Sequence, residues 1–357
     1  MSWHIFAGKN SNSYLIIKKI ISIMKNTQVI QSMSIVWLSI FMLGIAMMSC
    51  NSKKEQQLPT IGKSVALFDY FSYKGNDDFY ISNPLSGEDY FYNPILPGWY
   101  SDPSVCTNGE GDYFLVTSTF TYFPGVPIFH SKDLVNWKQI GHVLNRASQL
   151  VNMEGQKVSG GIFAPAISYN PHNKTYYMVT TNVGAGNFFV KTQDPFGEWS
   201  EPVMLPEVGG IDPSFFFDED GKAYIVNNDE APDNKPEYSG HRTIRIQEFD
   251  VKTDKTIGPR KILVNKGAQP ADKPIWIEGP HLYKINGKYF LMSAEGGTGN
   301  WHSEVIFRGD SPMGKFLPWE NNPILTQRHL NSDRPNSVTC AGHADLIQTK
   351  EGDWWAV

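Results

Sequence analysis

Asp212-Pro-Ser-Phe-Phe-Phe-Asp218-Glu-Asp-Gly221-Lys-Ala-Tyr224-Ile-Val226 reads as an apolar strand, a tight turn and a second, aromatic-led strand. The same succession occurs four more times. It pairs Asp102-Pro-Ser-Val105 with Tyr113-Phe-Leu-Val116 and Ala164-Pro-Ala-Ile167 with Tyr176-Tyr-Met-Val179. It pairs Glu278-Gly-Pro-His-Leu282 with Tyr289-Phe-Leu-Met292 and Gly342-His-Ala-Asp-Leu346 with Trp354-Trp-Ala-Val357. The turns Asn108-Gly-Glu-Gly111, Asn170-Pro-His-Asn173, Asp218-Glu-Asp-Gly221, Ile285-Asn-Gly287 and Lys350-Glu-Gly352 supply Gly, Asn or Asp where a hairpin needs positive φ. Successive segments start 62, 48, 66 and 64 residues apart. That length holds about four short strands, the size of a propeller blade.

The outer parts of the segments repeat more loosely, as a strand, an acidic turn and a tryptophan. Examples are Ile128-Phe-His-Ser-Lys-Asp133…Trp137, Phe189-Val-Lys-Thr-Gln-Asp194…Trp199 and Val305-Ile-Phe-Arg-Gly-Asp310…Trp319. The third segment substitutes Thr243-Ile-Arg-Ile-Gln-Glu-Phe-Asp250, the alternation of a half-buried strand. After residue 50 no long stretch sustains a helical period. The expected fold is therefore all-β, a five-bladed β-propeller over residues 93–357 with its fifth blade incomplete. The chain stops inside that blade's second strand, and two strands are unaccounted for. Either the 51–92 lead-in supplies them or the sequence is truncated; truncation is the expectation.

Composition agrees. Charged residues are 19%, below the roughly 25% of ordinary soluble domains. Aromatics are 13%, with 31 Gly and 23 Pro, which suits strands, turns and a surface that stacks on flat ligands. Net charge is −5 with no basic cluster, which argues against nucleic acid as a partner. Three cysteines make no disulfide scaffold, and Cys106 and Cys340 either pair or remain buried thiols.

Residues 1–49 read as an export signal. They hold four lysines and no acidic residue, and Ile35 to Met48 is a mostly apolar run of 14, short for a bilayer span. The run ends in Met47-Met48-Ser49-Cys50 before the polar Asn51-Ser-Lys-Lys-Glu55, which resembles a bacterial lipoprotein signal. The resemblance implies lipidation at Cys50, a tether over 50–92, and an exported protein on the periplasmic or cell-surface side of the outer membrane. Met24-Lys25 is a more natural start than Met1. Removal of residues 1–49 leaves 27 basic and 36 acidic residues, a charge of −9.

In a propeller, residues at the starts of the innermost strands converge on one mouth of the central channel. With the segments registered on Val105, Ile167, Phe215, Leu282 and Leu346, the position three before holds Asp102, Ala164, Asp212, Gly279 and His343, with Glu278 one step earlier. Taken singly, Asp102 and Asp212 read as turn caps, Glu278 as a loop residue and His343 as a core histidine. Equivalent placement in separate repeats gathers two aspartates, a glutamate and a histidine. Carboxylates so crowded shift one another's pKa, which acid–base chemistry uses. A metal cage is the competing reading, but no loop of closely spaced ligands is present.

Pro97-Gly-Trp-Tyr-Ser-Asp-Pro-Ser104, Phe123-Pro-Gly-Val-Pro-Ile-Phe-His-Ser-Lys-Asp-Leu-Val-Asn-Trp137, Ser159-Gly-Gly-Ile-Phe-Ala-Pro165, Gly210-Ile-Asp-Pro-Ser214, Trp276-Ile-Glu-Gly-Pro-His-Leu282 and Gly342-His-Ala-Asp345 together resemble glycoside hydrolase family 43, in its β-xylosidase type. The resemblance implies a five-bladed propeller that hydrolyses with inversion. By motif, Asp102 looks like the general base, Glu278 like the general acid, and Asp212 like the carboxylate that orients the acid and raises its pKa. His343 matches a histidine near the sugar that some members link through water to a central cation. The resemblance thus implies no required cofactor and admits a structural Ca2+ in the channel. Phe163 stands where many members have tryptophan. Trp99 and Phe123 are candidate pocket walls, and Thr298 is a candidate hydroxyl partner. The implied activity releases xylose from non-reducing ends of xylo-oligosaccharides or arabinoxylan, with α-L-arabinofuranosidase activity the near alternative. Fructan-active propellers also use three carboxylates, but with retention and with the acid in a Glu-Cys motif, where this chain has Glu278-Gly-Pro. A non-catalytic glycan-binding propeller fragment is the rival from outside enzymology. Members of the family continue past Trp-Trp-Ala-Val to a sugar-contacting arginine, and many carry a C-terminal β-sandwich.

Overall fold

The computed structural model describes residues 78–87, 89–335 and 337–357. The signal segment, Cys50 and the tether as far as residue 77 lie outside the described residues. Helix α1 (Asp78–Ser82) belongs to a unit spanning 9–88, of which only its end is described. Residues 89–357 form the second unit. No helix among the described residues is long and apolar enough to cross a membrane.

This second unit is an all-β propeller with four blades and one further hairpin. Blade 1 comprises β1 (Ser104–Thr107), β2 (Tyr113–Val116), β3 (Gly125–Ser131) and β4 (Lys138–Leu144). Blade 2 comprises β5 (Ile162–Asn170), β6 (Thr175–Asn182), β7 (Gly186–Thr192) and β8 (Val203–Met204). Blade 3 is built from β9 (Ile211–Phe217), β10 (Ala223–Glu230), β11 (Arg242–Asp250) and β12 (Lys255–Asn265). Blade 4 holds β13 (Glu278–Ile285), β14 (Lys288–Glu295), β15 (Ser303–Gly309) and β16 (Leu317–Pro318), with β17 (Leu325–Thr326) also paired to β15. The last hairpin is β18 (Leu346–Gln348) and β19 (Trp354–Ala356). Every pairing is antiparallel and meandering, and β1, β5, β9 and β13 lie side by side as the inner strands.

The turns follow the expected chemistry with one exception. Gly109, Gly111, Gly221, Asn286, Gly287 and Gly352 carry positive φ, but between β5 and β6 the left-handed residue is Lys174. Asn170 instead caps that turn, its side-chain oxygen accepting from the His172 N–H at 3.0 Å.

Adjacent blades share apolar cores. One joins blades 1 and 2 through Phe114, Val116, Ile128, Ile162, Met178 and Phe188. Others join blades 2 and 3 and blades 3 and 4, and a fourth packs Ile347 and Val357 of the last hairpin against Val105, Leu115 and Phe129. Each such side chain taken from water contributes roughly 1.5–3 kcal/mol, so the ring is held blade to blade. Trp137 and Trp199 pack into these interfaces as the repeat predicts. Trp319 does not, being 50% exposed; Phe316, buried in the core of blades 3 and 4, takes that place. The longer turn after Asp310 brings a different aromatic into the equivalent position. Among the described residues the lead-in adds no strand to the last hairpin. Ile95, Leu96 and Tyr100 pack on its core, and Phe91 stacks on Trp355. Cys106 is buried and Cys340 partly exposed, and both are free thiols, so the pairing alternative is not realised.

Candidate active site

The five positions registered by the repeat share one backbone state. Asp102, Ala164, Asp212, Gly279 and His343 have φ of 52°, 37°, 54°, 55° and 58°. In blades 2, 3 and 4 the ladder between first and second strands shifts register at that point. Proline follows at 103, 165, 213 and 280. Proline has no N–H to give a ladder and is tolerated in sheets at such bulges, where the strand bends and re-aims a side chain. Each inner strand therefore starts with a left-handed kink that turns its leading residue to the axis. Asp102, Ala164, Asp212, Gly279 and His343, with His281, line a narrow axial cavity.

The kinks need small neighbours. A Cβ on Gly210 would lie 1.9 Å from the Asn228 carbonyl oxygen, and one on Gly279 would lie 2.7 Å from His343 Nε2. Glycine at 210 lets the entry to β9 approach β10 of its own blade, and glycine at 279 leaves room for the His343 ring of the last hairpin.

Asp102 accepts a 2.6 Å hydrogen bond from Ser118 Oγ, and its other oxygen lies 3.7 Å from His343 Nδ1. Asp212 is buried, and its Oδ2 accepts from the Gly279 N–H at 3.1 Å. Burial pushes the Asp212 carboxyl up to about 6; the His343 and Arg242 charges and the Gly279 N–H oppose this, while Asp102 reinforces it. Glu278 is also buried, and burial with the Asp212 and Asp102 charges holds it well above the usual carboxyl range. The three carboxyls thus sense one another, although they are far apart in sequence. Asp102 has access to hydroxyl and imidazole donors, whereas Glu278 is set to keep a proton.

The aromatic candidates divide. Trp99 and Phe123 are 64% and 59% exposed at the rim. Trp99 meets Phe120 edge-on at 6.0 Å, and Phe120 meets the half-buried Phe163 at 5.6 Å, which makes a continuous aromatic wall on blades 1 and 2. Thr298 is exposed in the β14–β15 loop of blade 4.

Three participants escaped the sequence reading. Asp345 is buried at the axis. It accepts from Ser104 Oγ at 2.7 Å, the Val105 N–H at 3.0 Å and Tyr283 OH at 2.7 Å, and lies 3.5 Å from His281 Nδ1. It ties the last hairpin to blades 1 and 4. Glu304, buried on β15, accepts from the Ala344 N–H at 3.0 Å and so holds the His343-Ala344 turn; burial keeps its carboxyl well above the usual range. A carboxylate within the apolar run of Ser303–Gly309 was its visible signal. Arg242 opens β11, ion-pairs with Glu230 and lies 4.4 Å over the Trp276 ring. Its signal was weak, since surface arginines on strands are ordinary.

Among the described residues no three His, Cys, Asp or Glu side chains converge as a direct metal site. The chemistry on offer is that of paired carboxyls with separated proton affinities, on an all-β propeller.

Residues 91–357 match the family Glycosyl hydrolases family 43, and the chain belongs to it. A xylosidase/arabinosidase of Butyrivibrio fibrisolvens is 47% identical over 268 residues, 74% of this chain and 50% of that protein. A non-reducing end α-L-arabinofuranosidase of Bacteroides ovatus is 41% identical over 285 residues, 78% of this chain and 49% of that one. The crystal structure of a GH43_12 protein retrieved from a capybara gut metagenome superposes with a TM-score of 0.72 at 54% identity, covering 77% of this chain and 50% of the other. The chain thus spans about half the length of the curated relatives it matches.

Proposed function

We propose that the protein is an inverting glycoside hydrolase that releases xylose or arabinose from the non-reducing ends of xylo-oligosaccharides or arabinoxylan. The observation that carries this reading is that Asp102 and Asp212 line the axial cavity while the adjoining, buried Glu278 has its carboxyl raised by burial and by the charges of both aspartates. The relatives' names, which join xylosidase with arabinosidase or arabinofuranosidase, support the pentoside class.

In this mechanism Glu278 protonates the oxygen of the leaving sugar. Asp102, oriented by Ser118, takes a proton from the water that attacks from the opposite face. Asp212 stays beside the acid, and its charge favours the protonated form of Glu278. The Trp99–Phe120–Phe163 wall flanks the sugar, and His343 reaches it from the last hairpin. A Ca2+ in the channel would be held near His343 through water, because an imidazole nitrogen suits so hard a cation poorly and no carboxylate cage is found among the described residues. It would supply fixed positive charge.

The last hairpin is read as the inner half of a fifth blade. On blade 4 an open groove lined by Phe290, Ile306, Leu317 and Trp319 fits the face that two outer strands would cover. The amino-terminal features support export as a lipoprotein acylated at Cys50, with residues 50–92 as tether. A mature amino terminus whose mass retains residues before Cys50 would refute that part.

The decisive assay follows product anomers from nitrophenyl β-xyloside and nitrophenyl α-L-arabinofuranoside by NMR. Inverted sugar that disappears in Glu278→Ala and Asp102→Ala is the expected result. Retained configuration, or turnover unaffected by both substitutions, would refute the mechanism; binding of xylan fragments without turnover would identify a glycan-binding module.

A further inference from the structure

Blade 4 carries Glu278 and, beyond it on the same rim, a second built feature. The loop Gly296-Gly-Thr-Gly299 joins β14 to β15. Gly296 has φ +94°, its N–H donates to the Ile275 carbonyl at 2.8 Å, and a Cβ there would lie 2.2 Å from the Trp301 carbonyl oxygen. A Cβ on Gly297 would fall 3.9 Å from the Trp276 ring. The loop thus lies flat against the segment that leads into Glu278, with a tryptophan on either side. Each indole has a guanidinium over it: Arg242 on Trp276 at 4.4 Å and Arg328 on Trp301 at 5.8 Å.

The two pairs differ in what else holds them. Arg242 ion-pairs with Glu230 and Trp276 is half-buried. Trp301 is 68% exposed, and Arg328 forms no ion pair among the described residues. Its Nη1 donates to the Trp301 carbonyl at 3.3 Å, and its Nε is buried without a hydrogen-bond partner. The guanidinium is thereby spent on fixing the indole and is not presented as an open fork for an anion. What remains is a broad indole surface, anchored at low entropy cost in the loop that packs on the segment leading into Glu278.

We infer that Trp301, held by Arg328, is the platform for the leaving-group sugar, an uncharged xylosyl unit of the glycan backbone. The assignment rests on the glycosidase reading: the acid protonates the leaving oxygen, so the departing sugar must lie on the acid's side, and Trp301 is the most exposed tryptophan of that blade, in the loop that packs on the segment leading into Glu278. Release of either xylose or arabinose from a xylan backbone leaves a xylosyl unit there.

The test compares wild type with Trp301→Ala and Trp301→Phe on two kinds of substrate. One is the pentosyl fluoride of the sugar released, whose leaving group has no ring to stack. The other is xylotriose, or arabinosylated xylotriose if arabinose is the sugar released. The expected result is that Trp301→Ala lowers kcat/KM on the oligosaccharide about ten-fold, a typical loss for one stacked ring, and leaves the pentosyl fluoride within about two-fold. Trp301→Phe recovers most of the loss. Equal loss on both substrates, or no loss on the oligosaccharide, overturns the assignment. Should the wild type cleave neither, the glycosidase reading falls separately, and calorimetric titration with xylotriose then decides. Binding that weakens in Trp301→Ala upholds the platform, whereas unchanged or absent binding overturns it.

Discussion

Asp212 pays for its place at the axis. Its folded-state pKa of about 6 lies above the 3.8 of a free aspartate, so the folded chain binds this proton more tightly than the unfolded one. Stability from this residue is therefore fullest below pH 4 and is lost as pH rises through 6, by up to about 3 kcal/mol. Asp212→Asn keeps the shape and an acceptor for the Gly279 N–H but removes the charge. The variant is expected to melt higher than wild type at pH 7, to lose that slope between pH 4 and 6, and to be inactive. Thermal melts across that range check it; a lower melting temperature at pH 7 would show that Asp212 stabilises the fold. Gly210→Ala should act in the opposite sense. Its Cβ would meet the Asn228 carbonyl in a backbone state that alanine resists, at a cost of about 1–3 kcal/mol, read from denaturant unfolding.

At the scale of elements, a short hairpin carries much of the ring's closure. Strands β18 and β19 have three residues each, yet Asp345 beside them receives donors from blades 1 and 4. Asp345→Ala would leave Ser104 Oγ, the Val105 N–H and Tyr283 OH buried without that acceptor. Loss of about 3 kcal/mol or more is expected, with partial recovery in Asp345→Asn, measured by urea unfolding. An unchanged midpoint would mean that water replaces the carboxylate. The repeat legible in the residues located this hairpin and all four blades, because strand alternation and turn chemistry are local properties. It did not show that Phe316 rather than Trp319 reaches the neighbouring blade, because Trp319 stands four or five residues farther from its acidic turn than Trp137 and Trp199 do, and which aromatic packs depends on contacts between blades. Lys174 shows the same limit, since a turn closed by Asn170 tolerates a residue that turn rules alone disfavour.

For the whole molecule, protection should grade around the ring. Blades 2 and 3 are covered on both faces by apolar cores, while the last hairpin is covered on one, against blade 1. Hydrogen exchange is expected to be fastest in β18 and β19 and slowest in β6 and β10, whose residues are almost all buried. Uniform protection would contradict that grading. The amino-acid sequence by itself determined the all-β class, the repeat and the registered positions of Asp102, Asp212, Glu278 and His343, because each strand's period and each Asp-Pro kink is written within a few residues. Tertiary structure alone decided which groups those residues meet. Asp345 and Glu304 as buried anchors, the Arg242 charge acting on Glu278, and Arg328 over the Trp301 ring all arise from contacts between segments tens to hundreds of residues apart, where burial and charge are set by the packing of one blade on the next.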